Sequence, residues 1–123
     1  MHAIASYRAN RVATASPLQL VVMLYQELLR RVELGAVALE EGSTDSIVHF
    51  HHAREVLTEL SAALDPSAGA PELVARLEAL YGWSAAELVA AGRDKDAGRA
   101  RRVARALQPL LEGWTAVLHG AGQ

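Results

Sequence analysis

The chain has no cysteine. That removes disulfides, thiolate metal sites and a cysteine nucleophile together, and it suits a reducing compartment. Aromatics are scarce, with one Phe, two Trp and three Tyr in 123 residues, so leucine must supply most of the packing volume. Hydrophobic residues make up 51%, but alanine is the commonest of them and adds helix propensity more than core volume. Long apolar runs are missing. The longest, Leu20 to Tyr25, is too short to span a bilayer, and residues 1–17 hold no signal-peptide apolar segment. A formal net charge of −2 gives no general affinity for nucleic acid. No G-x-S-x-G and no P-loop occur. These absences predict one soluble, cytoplasmic domain with a single core. They leave no candidate for catalysis, no cofactor, no membrane insertion and no nucleic-acid partner.

What is present is helical punctuation. Ser16-Pro17-Leu18-Gln19 is a capping box with proline at the first helical position, so a helix is expected over about 17–41, with Gly42 free to take the left-handed position after it. Thr44 or Asp45 is expected to cap a second helix, 45–64, that ends before Asp65-Pro66. After the turn-forming loop DPSAGA, Pro71 and Glu72 open a third helix, 71–91, expected to stop near Gly92. A fourth covers about 97–118 and leaves a tail at 120–123. No strand alternation and no fixed-period repeat appear.

Apolar residues recur at alternating spacings of three and four. The stripes are Leu18, Val22, Tyr25, Leu29, Val32 and Ala36; Phe50, Ala53, Leu57, Leu60 and Leu64; Leu73, Leu77, Leu80, Tyr81 and Leu88; and Val103, Leu107, Leu110, Trp114 and Val117. Four such helices with short loops imply an all-α, antiparallel up-down four-helix bundle over 16–119, preceded by a short mobile N-terminal arm, residues 1–15. Pro109 falls inside the fourth helix and is expected to kink it. At 100° per residue, Leu20, Met23 and Leu34 fall on the far side of their helix, and Trp83 lies off the centre of its stripe. Scattered exposed apolar residues are ordinary; several together suggest a surface that receives a partner, or a weak dimer of an otherwise monomeric bundle.

The polar clusters carry less chemistry. His49 and His52 in the run HFHH stand one turn apart, but no third ligand completes a metal site. An exposed histidine on a bundle also suits a phosphorelay or regulatory domain, the alternative from another class. Arg93, Lys95, Arg99, Arg101, Arg102 and Arg105 gather against Asp94 and Asp96. The ordinary reading is a solvated face; the other is contact with acidic residues of a partner, through Arg101 and Arg105.

The run TASPLQLVVMLY resembles the first-helix signature of the flagellar secretion chaperones of the FliS family, in which A-S-P-x-x-L-x-x-M-L-[YF] follows a short arm. The similarity continues through Ile4 and Tyr7 in the arm, LTELSAALD, the glycine-containing loop, LEALYGW, the Asp96 region, and L-x-x-L-x-x-x-W at Leu107, Leu110 and Trp114. The chain departs from the family pattern at Gln26-Glu27, Arg76, Trp83, Arg101-Arg102 and Pro109, so a paralogue with a different client is a further alternative. The resemblance implies a cytoplasmic chaperone that binds the C-terminal segment of flagellin, prevents its premature polymerisation and aids its delivery to the type III export apparatus, with the export gate protein FlhA as a second partner. It also implies that the arm covers the client groove. Candidate client contacts are Ile4, Tyr7, Leu20, Met23, Leu77, Leu80, Tyr81, Trp83, Leu107, Leu110 and Trp114.

Overall fold

The computed structural model describes residues 16–121, which form four helices: α1 (Pro17–Glu40), α2 (Asp45–Ala62), α3 (Pro71–Asp94) and α4 (Ala97–Ala121). Each packs on its neighbours in chain order and α4 closes against α1. The result is an antiparallel up-down ring of four. Ile4 and Tyr7 lie outside the described residues.

Local chemistry sets most of the boundaries. Ser16 Oγ accepts from the Gln19 amide at 3.1 Å while Gln19 Oε1 accepts from the Ser16 amide at 2.6 Å, so two otherwise orphaned donors at the start of α1 are satisfied. Gly42 adopts φ +71°, which lets the Ser43 amide reach back to the Ala38 carbonyl at 2.8 Å and terminate α1. The start of α2 differs from expectation. Neither Thr44 nor Asp45 supplies a capping side chain; Ser43 Oγ accepts from the Asp45 amide instead. α2 also stops at Ala62, so Leu64 sits beyond its end. α3 runs through Gly92 to Asp94, because Lys95 and not Gly92 takes the left-handed conformation, at φ 53°. The Asp96 amide then bonds to the Ala91 carbonyl, and Asp96 Oδ1 accepts from the Arg99 amide at the start of α4. α4 is continuous through Pro109 and reaches Ala121. Pro109 is exposed, and the helix is not broken there although proline leaves one backbone bond unmade.

The core matches the predicted stripes at mid-height and departs from them at the ends. Phe50, Ala53, Leu57 and Leu60 of α2, Leu77, Tyr81 and Leu88 of α3, and Val103 and Leu107 of α4 are all buried. In α1 the buried arc is wider than one stripe and takes in Leu24 and Leu28, while Leu29 is only half-buried. The reason is that α1 packs along two helices, α2 and α4, at once. For the same reason Leu20, Met23 and Leu34 are not on a bare far side; all three are half-buried. Leu73 and Val117, expected inside, are 47% and 56% exposed. Both belong to the end of the bundle where α2 stops early. With 18 residues against 24 in α1, α2 is roughly 9 Å shorter at 1.5 Å per residue, and nothing from it covers them.

α1 and α2 approach closely at Gly35. A Cβ on Gly35 would stand 2.7 and 2.9 Å from Cδ1 and Cζ of the Phe50 ring. Gly35→Ala should therefore force Phe50 aside and destabilise the fold by about 1–3 kcal/mol, the usual range for overpacking. A urea titration with unchanged slope and a lowered midpoint is the expected result.

Candidate binding site

Where α2 stops short, all four helices border one apolar hollow of about 140 Å³. Leu18 and Val21 come from the first turns of α1, Leu60 from α2, Leu77 and Tyr81 from α3, and Trp114 from α4; Ala63 and Leu64 close it from the chain following α2. The hollow opens beside Ser16, the point at which the first fifteen residues join the bundle. Its lining is almost wholly apolar, so it accepts hydrocarbon and offers little to a polar ligand.

The floor is aromatic. The Tyr25 and Tyr81 hydroxyls share a hydrogen bond at 2.6 Å, both side chains being buried. Burial first, and then this bond, pushes the Tyr81 phenol well above its usual range, so it stays protonated. The Tyr25 ring also meets Trp114 edge-on, with centroids 6.5 Å apart and planes at 65°, a favoured aromatic geometry. Trp114 Nε1 is buried without a hydrogen-bond partner. On its other side the indole borders a second, shallower hollow of about 240 Å³, shared with Pro109, Leu110, Gly113 and Val117. Trp114 is thus the wall between two apolar depressions.

Among the expected contact residues, Leu77, Tyr81 and Trp114 meet in the first hollow and Leu110 joins Trp114 in the second. Leu107 is wholly enclosed and presents no surface. Leu20, Met23 and Leu80 are half-buried and line neither hollow, and Trp83, 41% exposed, stands apart from both. Sequence reasoning did not single out Leu18, Val21, Leu60 or Leu64 as contacts. Their signal was an apolar position within a turn of a helix end.

The basic cluster is largely spoken for. Arg101 is engaged within the bundle: its guanidinium forks to Glu33 (3.0 Å) and Glu40 (2.5 Å) of α1. That hydrogen bonding holds the Glu40 carboxyl below its usual range. Arg99 donates to Glu87 of α3 at 2.6 Å and to Asp94 at 3.4 Å. Arg105 remains exposed. The histidines are likewise engaged or enclosed. His49 Nδ1 accepts from the Arg31 guanidinium at 3.1 Å, and His52 Nδ1 is buried. No group of three His, Cys, Asp or Glu side chains gathers among the described residues.

Residues 1–121 match the family model described as flagellar protein FliS. The chain belongs to the FliS family. It is 27% identical over 128 residues to the flagellar secretion chaperone FliS of Bacillus subtilis (strain 168), an alignment that covers 95% of this chain and 92% of that one. A solved structure titled as the crystal structure of a flagellar chaperone from bacteria superposes with a TM-score of 0.77 over 98% of both chains, at 19% identity. That likeness establishes a common fold. A regulatory histidine bundle is not favoured.

Two results are expected. Tyr25→Phe or Tyr81→Phe alone strands one buried hydroxyl and should cost about 1–3 kcal/mol, whereas the double variant should recover part of the loss; a thermodynamic cycle from denaturant titrations reads both. His49 and His52 are held below the ordinary histidine value, first by burial and then by the Arg31 charge. Stability from keeping them neutral is complete above the unfolded value, about 6.5, and is lost as the pH falls through their lowered folded values. Melting temperature should drop with pH in that window, and less so in His49→Gln.

Proposed function

We propose that this chain is a flagellar secretion chaperone that binds the C-terminal segment of flagellin in the cytoplasm, keeps it from polymerising, and aids its delivery to the type III export apparatus. The observation that carries the reading is the aromatic-floored hollow at the end of a FliS-family bundle. It offers a place for apolar side chains and no group arranged for bond-making chemistry. A client segment that is unstructured when free must be ordered on binding, at several kcal/mol. Two depressions on either side of Trp114 supply the extended apolar area that such a segment needs, with anchors about one helical turn apart. On this reading the segment before Ser16 is the cover of the hollow in the free chaperone, seated through Ile4 and Tyr7, and it also contributes to contact with FlhA.

Calorimetric titration with the C-terminal peptide of flagellin from the same genome tests the assignment. One-to-one binding with a large negative heat-capacity change is expected. Trp114→Ala should weaken it at least about tenfold, as removal of a central aromatic anchor does. Trp83→Phe leaves Trp114 as the sole indole, whose emission should shift on binding. A folded protein that ignores the peptide at tens of micromolar would overturn the client. Normal flagellin export by Tyr7→Ala would overturn the role given to the arm.

A further inference from the structure

At the opposite end of the bundle, a second cleft runs between the first half of α2 and the last half of α3. Ile47 is 70% exposed on one bank and Val89 49% on the other. Phe50 and Leu88, both core residues, form the floor. Two adjoining hollows share Ile47 and Gly92 along this cleft, so it is a continuous trough and not a pit.

Its charge is one-sided. Arg54, Arg93, Lys95 and His51 line the two hollows, and no carboxylate does. Of the carboxylates adjoining these residues in sequence, Asp94 is held by Arg93 at 2.9 Å and Glu55 faces His51 at 3.8 Å, while Asp45 is exposed and lines neither hollow. Arg54 and Lys95 have no carboxylate partner among the described residues. Two unpaired cations beside exposed hydrocarbon make a surface complementary to an acidic, amphipathic segment.

Gly92 adds a steric argument. Glycine inside a helix weakens it relative to alanine, so a reason for its presence is required. The core does not supply one, because a Cβ there would meet only Phe50 at 3.6 Å, an ordinary contact. The bare backbone of Gly92 instead deepens the trough where both hollows meet, and admits close approach of another chain.

We propose that this cleft docks an amphipathic helix of a partner protein, its apolar ridge lying over Ile47, Gly92 and Val89 and its carboxylates meeting Arg54 and Lys95. The site is separate from the aromatic hollow and does not depend on what that hollow holds. Carboxylate contact makes the association fast and salt-sensitive, and the hydrocarbon contact gives it residence.

The probe is a fluorescein-labelled designed helical peptide with leucines one turn apart flanked by glutamates, and its control is the same peptide with lysines in place of the glutamates. Anisotropy should show the acidic peptide binding at least about tenfold more tightly than the basic one, with affinity falling as salt is raised. The double variant Arg54→Gln, Lys95→Asn should lose about tenfold; asparagine tolerates the left-handed backbone at that position. Gly92→Ala, which the core accommodates, should weaken the acidic peptide while leaving the melting temperature unchanged or higher. Trp114→Ala should leave this binding as it is. Equal binding of the two peptides, undiminished binding by the double variant, or no binding at hundreds of micromolar would each overturn the proposal. So would concentration-dependent dimerisation abolished by Ile47→Glu, which would assign the cleft to a second copy of this chain.

Discussion

Every helix in this bundle needs two neighbours, and α2 is too short to serve its neighbours along their full length. That single mismatch organises the molecule. At mid-height each side chain of the ring finds a counterpart, and the interior is closed around Phe50, Leu28, Val103 and Leu107. Beyond Ala62 the counterpart is missing, and residues of core type on α1, α3 and α4 are left bordering water. The hydrophobic effect penalises such an end. The aromatic trio of Tyr25, Tyr81 and Trp114 limits the damage by sealing the floor just above the gap. The opening is thus a product of helix length, and its depth a product of where the aromatic seal lies.

Much of this was legible because it is local. The capping box at Ser16 involves residues three apart, and the Gly42 terminus needs only one residue free to adopt positive φ. The seam of α2 is a pure spacing pattern, and the structure buries it from Phe50 to Leu60. Features that depend on a second helix were not legible. Glu33 and Glu40 are more than sixty positions from Arg101, so nothing in its neighbourhood marks that arginine as taken. A leucine at a seam position reads as core wherever it falls; only the lengths of its neighbours decide that Leu64 borders a hollow and that Leu73 is bare. The third helix ran past Gly92 for a related reason. A glycine permits a terminus, but Lys95 adopts the left-handed turn because the Asp96 amide finds the Ala91 carbonyl there.

Charge is distributed by the same division between the two ends. Two arginines of α4, Arg101 and Arg99, are committed to α1 and α3, and they tie the helix down over its first turns. Past Leu107, among the described residues, α4 has only partly buried side chains, with Leu110, Leu111 and Trp114 packed against the core, and no ion pair. One helix is therefore fastened by ion pairs and buried Ala100 and Val103 at one end, and by the partly buried Leu110, Leu111 and Trp114 at the other.

The order of the ring also bears on how the chain comes to be folded. Three of its four interfaces join helices consecutive in the chain, and each can form as a hairpin soon after its second member is made. The fourth joins the first helix to the last. Until the 25 residues of α4 are synthesised, the flank of α1 that they will cover remains in water. During translation, then, the chain passes through an interval in which the apolar flank of its own first helix has no cover.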